Sequence, residues 1–267
     1  MLDYSKDYFS DGDFNAVYKK IKEYVTFGCE PMNEKCTIIL GGQPGAGKST
    51  YYSTREDPVS NSVIINGDDY RRFHPNFSRI IRSDAEHMAE RTQDFTNRVV
   101  ERLITDLGND GYNMIIEGTL RNPQVPINTC KELQSKGYNP DLVVVACDAE
   151  KAWISTIKRA EALQMQHEPV RLVPFDTYDY TVNQIPINIE IIEKEKCFNS
   201  ISIVNRDGDY LYKTGDMSRP KDVLIKELNL DNWNKVAPSY EKDYINKKIE
   251  LLQASLKTKE RDRGFER

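Results

Sequence analysis

The chain has 267 residues, 42 acidic against 37 basic side chains, a net charge of -5, 39% hydrophobic residues and 30% charged ones, a composition that predicts a soluble globular protein of one large domain or two small ones. The acidic balance argues against a molecule-wide attraction to nucleic acid or anionic membrane, so phosphate chemistry would need a local basic cluster. No apolar run reaches a membrane span, no basic and then apolar leader opens the sequence, and five cysteines without a C-x-x-C pair suggest neither a disulfide framework nor a zinc site, so the expectation is a cytoplasmic protein with reduced thiols.

In chain order, Phe14, Val17, Tyr18, Ile21 and Tyr24 recur at helical spacing behind Asp11 and Asp13, which read as caps. Four short apolar runs rich in β-branched residues follow, at 37–40, 63–65, 114–116 and 142–146. Each is too brief for a helix and reads as a strand buried on both faces. Between them the spacing of Phe95, Val99, Leu103 and Leu107 predicts one helix over about 84–107, and residues 125–136 predict another, closed by Gly137. A polar helix over about 150–166 leads into a Pro-punctuated stretch, 167–174, and more helix to about 196. Residues 201–204 and 210–212, separated by Asn205-Arg206-Asp207-Gly208-Asp209, read as a hairpin or a final strand with an extension. From Tyr240 onward a charged sequence with sparse apolar spacing predicts a protruding helix. Alternating strands and helices mean an α/β fold, a parallel sheet flanked by helices with a C-terminal helical extension. Residues 1–235 are expected to form the main domain, including the N-terminal helix, and 236–267 the extension.

Gly42-Gln43-Pro44-Gly45-Ala46-Gly47-Lys48-Ser49, followed by Thr50, satisfies G-x-x-x-x-G-K-[ST] directly after one strand and before a helix beginning near Lys48. Glycines let backbone N–H groups curl round an anion, the helix N-terminus adds positive potential, the lysine reaches the β- and γ-phosphates, and the serine hydroxyl can ligate Mg²⁺. A GTPase would carry N-K-x-D and D-x-x-G, and neither occurs. Met114-Ile115-Ile116-Glu117 only partly matches the acid-ended strand of a motor ATPase. A small-molecule kinase fits better, because it needs one carboxylate to deprotonate a hydroxyl and arginines to close over the phosphates.

The second strand ends in Asn66-Gly67-Asp68-Asp69-Tyr70-Arg71-Arg72. Ligands of an open parallel sheet collect at the carboxyl ends of its strands, so Asp68 is the candidate general base. The plainer alternative is that Asp68 or Asp69 caps the next helix. The third strand delivers Glu117, Gly118, Thr119, Leu120 and Arg121 to the same edge, a carboxylate, a hydroxyl and a guanidinium suited to a polyhydroxylated anionic substrate. Alternatively this is an ordinary loop in which Thr119 caps. Glu101, on its own, reads as surface charge. Arg159 and Arg171 flank a lid broken by Pro169 and Pro174, where guanidinium groups could neutralise the transferred phosphoryl group, although a lone arginine on a helix is more often a solvated charge. His74 and His167 are too isolated to propose as ligands or bases.

Gly41 to Ser49, then Asn66-Gly67-Asp68-Asp69-Tyr70-Arg71 with His74-Pro75, then Gly111-Tyr112-Asn113 running into Ile116-Glu117-Gly118-Thr119-Leu120-Arg121, together resemble the zeta toxin family of bacterial toxin-antitoxin systems. The match continues in order through Lys136-Gly137-Tyr138, Thr156-Ile157-Lys158-Arg159 and Asn205-Arg206-Asp207-Gly208, covering about residues 37–212. The resemblance implies a kinase that uses ATP and Mg²⁺ to phosphorylate the 3'-hydroxyl of the amino sugar of UDP-N-acetylglucosamine or a related UDP-amino sugar, which blocks peptidoglycan synthesis. It places the base on Asp68, the phosphate lysine on Lys48, the metal-ligating hydroxyl on Ser49, the substrate contacts on Glu101, Glu117, Thr119 and Arg121, and the charge-stabilising arginines on Arg159 and Arg171. It also implies a small helical antitoxin of the epsilon kind that blocks the nucleotide site. Asn66 stands where the family often has an aspartate, and Leu120 puts a bulky side chain in the acceptor loop. The competing readings are a phosphotransferase of the same build acting on another hydroxyl compound, such as an antibiotic, and a nucleotide-dependent binding module without chemistry.

Overall fold

A computed structural model describes residues 7–53, 61–84, 87–166 and 172–265, with side chains described as far as residue 247. Its elements, in chain order, are α1 (Asp11–Thr26), β1 (Thr37–Gly41), α2 (Lys48–Ser53), β2 (Ser62–Ile65), α3 (Gly67–Tyr70), a 3-10 turn (Arg71–Phe73), α4 (Phe77–Asp84), α5 (Met88–Arg91), α6 (Gln93–Asp110), β3 (Asn113–Glu117), α7 (Gln124–Ser135), β4 (Asp141–Val145), α8 (Ala149–Met165), α9 (Phe175–Glu195), β5 (Ile201–Val204), β6 (Tyr210–Lys213), α10 (Pro220–Glu227) and α11 (Leu230–Phe265). The six strands form one sheet in the order β2-β3-β1-β4-β5-β6. The first five are parallel and β6 returns antiparallel on β5, so the final pair of runs is a hairpin.

β1 is central, and the chain reverses around it: β3 lies on one side and β4 on the other. Such a reversal opens a crevice at the carboxyl ends of the strands. The parallel strands read as near-continuous apolar runs because both faces are covered. Ile39, Met114, Ile116, Leu142 and Val144 pack with α1, α6 and α7 in one core. Ile38, Leu40, Ile115, Val143 and Val145 pack with α8 and α11 in the other. α9 serves both, giving Ile185, Ile189 and Ile192 to the first and Phe175, Tyr178 and Val182 to the second.

Three expectations are corrected. The cap of α1 is Ser10: its hydroxyl accepts from the Asp13 amide (3.1 Å) while the Asp13 carboxylate accepts from the Ser10 amide (3.2 Å), a reciprocal box that leaves Asp11 outside. The single helix expected over 84–107 is interrupted. Thr92 sits at φ -103° and ψ 1°, and its hydroxyl donates to the Met88 carbonyl (2.8 Å), which ends α5 before α6 begins. The last helix starts at Leu230 rather than Tyr240, because its first turns have a core to fill. Trp233 is fully buried and donates from Nε1 to Asp179 (2.8 Å), and Tyr240 donates to Glu150 (2.6 Å). Burying an aromatic side chain of that size contributes roughly 3 kcal/mol. Among the described residues no helix is long and apolar enough to cross a membrane.

Candidate active site at the carboxyl edge of the sheet

The phosphate loop leaves β1 at Gly41 and enters α2 at Lys48. Gly45 adopts φ +78°, and a Cβ there would collide with the Ala152 carbonyl of α8, so only glycine permits this approach. Gln43 donates to the Cys147 carbonyl (2.5 Å), tying the loop to the end of β4, and Ala46 is fully buried. The side chain of Lys48 is 8% exposed, and Nζ donates to the carbonyls of Gly42 (2.9 Å) and Gln43 (3.2 Å). Its ammonium is therefore folded back into the mouth of its own loop. From the β5–β6 turn, Arg206 donates to the Gly45 carbonyl (3.1 Å) and to Ser155 of α8 (3.2 Å), fastening hairpin, loop and helix together. Ser49 and Thr50 open α2 and are exposed. Tyr52, on the same helix, places its phenol near Ser49 and Glu117, and burial pushes that phenol's pKa up.

Opposite the loop, Glu117 ends β3 with its Oε1 3.8 Å from Lys48 Nζ and only 14% of the side chain exposed. Its Oε2 is buried with no hydrogen-bond partner among the described residues. Burial raises its pKa above the ordinary range, opposed by Lys48 and Arg159 and reinforced by the charges of Asp68 and Asp69. One buried carboxylate thus feels the phosphate lysine, the candidate base and the candidate lid arginine.

Asp68 and Asp69 do not cap α3. Asn66 does, accepting from the Asp68 amide through its side-chain oxygen (3.1 Å), so the residue standing in place of an aspartate has a structural task. The Asp68 carboxylate is 41% exposed and accepts from Arg71 Nε (2.9 Å). Thr119 does not cap α7 either, since that helix begins at Gln124 behind Pro123. Leu120 takes φ +55° and buries its side chain where a Cβ on Gly41 would otherwise sit. The carbonyls of Leu120 (2.8 Å) and Arg121 (3.0 Å) both accept from the buried Asn188 amide of α9. The bulk of Leu120 therefore goes into the core, and Thr119 and Arg121 stay exposed at the rim. Glu101 is exposed on α6, one residue past Val100, which packs over Gly67 of α3. Arg159 is exposed on α8, and Arg171 lies outside the described residues.

Four contributors carried no role in the sequence reading. Arg71 and Arg206 sat inside recognised motifs, and Asp68 with Arg71 at i,i+3 was a readable ion pair. Tyr52, four residues beyond Lys48 on one helix, was a spacing signal of the same kind. Asn188, amid the apolar face of α9, was visible only as a polar interruption.

Among the described residues no group of three or more His, Cys, Asp or Glu side chains could hold a metal. The donor set fits Mg²⁺ bound through the exposed Ser49 hydroxyl and oxygens of a bound phosphate, since this ion accepts few protein ligands.

Residues 20–216 match the family model described as Zeta toxin. The chain is similar to Toxin zeta of Streptococcus pyogenes, 33% identical over 228 residues covering 83% of this chain and 78% of that protein. It is similar to Toxin PezT of Streptococcus pneumoniae, 31% identical over 230 residues covering 85% and 91%. The fold is similar to a solved chain from the PezAT chromosomal toxin-antitoxin system of Streptococcus pneumoniae, with a TM-score of 0.76 and 30% identity over 92% of this chain and 99% of that one.

Proposed function

The chain belongs to the zeta toxin family, and from that premise we infer that it is a cytoplasmic kinase that transfers phosphate from ATP to the 3'-hydroxyl of the amino sugar of UDP-N-acetylglucosamine, as the toxin partner of a small helical antitoxin. The observation that carries this reading is the meeting of Lys48 and Glu117 at 3.8 Å, with Asp68 and Arg159 acting on the same carboxylate. Donor and acceptor machinery share one crevice.

In this reading the loop amides and Lys48 bind the β- and γ-phosphates, and the Gly42 and Gln43 carbonyls orient the lysine. Asp68 takes the proton of the sugar hydroxyl as that oxygen bonds to the γ-phosphorus and the bond to ADP breaks. Glu117 accepts from a neighbouring hydroxyl or amide of the sugar, and Thr119, Arg121 and Glu101 hold the rest of the sugar nucleotide. Arg159 and Arg171 neutralise charge on the transferred group. Mg²⁺, held by Ser49, would supply charge neutralisation between the phosphates.

Incubation of the protein with ATP, Mg²⁺ and UDP-N-acetylglucosamine, followed by mass spectrometry, should reveal a sugar nucleotide carrying one added phosphate. A panel containing other UDP-amino sugars and hydroxylated antibiotics sets the substrate. Phosphorylation of a different class alone would overturn the substrate assignment, and ADP release with none would overturn the kinase reading.

A further inference from the structure

Arg71 lies buried beside Asp68 and takes no part in the steps above. Its side chain is 10% exposed, against 41% for its carboxylate partner. Nε donates to Asp68 Oδ1 (2.9 Å), Nη1 to the Ala89 carbonyl (2.6 Å) and to Thr92 Oγ1 (3.0 Å), and Nη2 to Gln93 Oε1 (2.9 Å). All three nitrogens of the fork are engaged, by acceptors on α3, on α5, at the break after α5 and at the start of α6.

An exposed i,i+3 ion pair between two mobile side chains contributes little. Here the arrangement is asymmetric. The cation is fixed by three neutral acceptors far along the chain, so its orientation is set before Asp68 is considered, and the carboxylate is the member being held. The acceptors are themselves secured. The break between α5 and α6 brings the Ala89 carbonyl and the Thr92 hydroxyl to Arg71, while Arg91 on the same turn grips buried Asp7 at 2.6 and 2.7 Å. Beneath α3, Gly67 meets Val100 of α6, so the backbone of the base segment also rests on that helix.

We propose that Arg71 is a positioning residue for phosphoryl transfer, fixing Asp68 Oδ1 and holding the carboxylate ionised so that it can take the proton of the acceptor hydroxyl. This rests on the kinase reading. Among the described residues, Asp69 on α3 and Glu117 at the end of β3 are further charged groups near Asp68, and Glu117 is itself acted on by Lys48 of α2 and Arg159 of α8. Loss of Arg71 removes a guanidinium that favours the ionised carboxylate, while the charges of Asp69 and Glu117, which oppose it, remain.

The test compares wild type, Arg71→Gln and Arg71→Lys over pH. Arg71→Gln should lower kcat roughly 100-fold at neutral pH, leave the KM for ATP unchanged, and move the acid limb of kcat/KM for the sugar nucleotide up by about one pH unit. Arg71→Lys, which keeps the charge without the fork, should hold the acid limb near that of wild type while kcat stays depressed. A loss in Arg71→Gln that is equal at every pH, or wild-type kcat in either variant, would overturn the proposal. A wild-type protein that phosphorylates no UDP-amino sugar would overturn the kinase reading instead. In that event the midpoint of the Asp68 carboxyl, followed by ¹³C NMR and assigned with Asp68→Asn, decides for Arg71: it should rise in Arg71→Gln, and an unmoved midpoint sinks the proposal.

Discussion

On the proposed donor side of the crevice Lys48 is 8% exposed and is held by carbonyls five and six residues away in its own loop, whereas on the proposed acceptor side Asp68 is 41% exposed and is held by an arginine whose further acceptors lie 18 to 22 residues along the chain. The first arrangement is local backbone geometry, written in glycines. The second is a relay of side chains that depends on where α5 and α6 settle, and behind them on Asp7. Phosphate binding should therefore tolerate distant damage that the acceptor machinery would feel.

Asp68→Asn should divide the two sides most sharply, lowering transfer roughly 10³-fold while calorimetry shows ATP affinity unchanged; a parallel fall in affinity would break the comparison. Asp7→Asn should come next. It leaves Arg91 and Arg79 facing a neutral group, at a cost of about 3 kcal/mol in urea unfolding, and it should lower kcat more than ATP affinity. The hydrogen bond and charge of Arg91 hold the Asp7 carboxyl below the ordinary range, so this stabilisation is present above the unfolded-state value and is lost as pH falls through the depressed one. The wild type should converge on Asp7→Asn in acid.

Glu117→Gln sits where the two sides meet, and its effects should oppose one another. Transfer should fall roughly 30-fold, while stability rises by about 1 kcal/mol, because the substitution removes a buried charge whose desolvation outweighs the attraction of Lys48. Burial raises the Glu117 pKa, so its penalty on the wild type grows as pH rises through that value and is absent in more acid solution. Thermal melts at several pH values would show the gap. The smallest effect should be that of Arg206→Met, which loosens the loop from the hairpin and weakens ATP binding by about 1 kcal/mol, a factor of about 5 in Kd, with kcat unchanged.

The parallel strands and the phosphate loop were legible because their signals are local: short apolar runs buried on both faces, and glycines around a lysine. The acceptor edge was legible in residue type but not in support. That Asn66 rather than Asp68 or Asp69 would cap α3 depended on where the helix began: with Gly67 as its first residue, Asn66 holds the cap position and Asp68 and Asp69 fall inside the first turn. Leu120 looked like an obstacle in the loop until the fold supplied a cavity over Gly41 and an amide from Asn188, 68 residues away. The break at Thr92 left no trace in the apolar spacing, since Phe95, Val99, Leu103 and Leu107 remain on one face beyond it.

The packing of α11 decides how this molecule can be watched. The chain has two tryptophans, Trp153 and Trp233, and both stand against the Tyr178 ring, at 5.0 and 5.3 Å. Tryptophan fluorescence is thus a gauge confined to the junction of α8, α9 and α11, on the face of the sheet away from α1 and α6. Loosening around Asp7 and Arg71 would pass dark in that signal, and amide hydrogen exchange along α5 and α6 would be the means of seeing it.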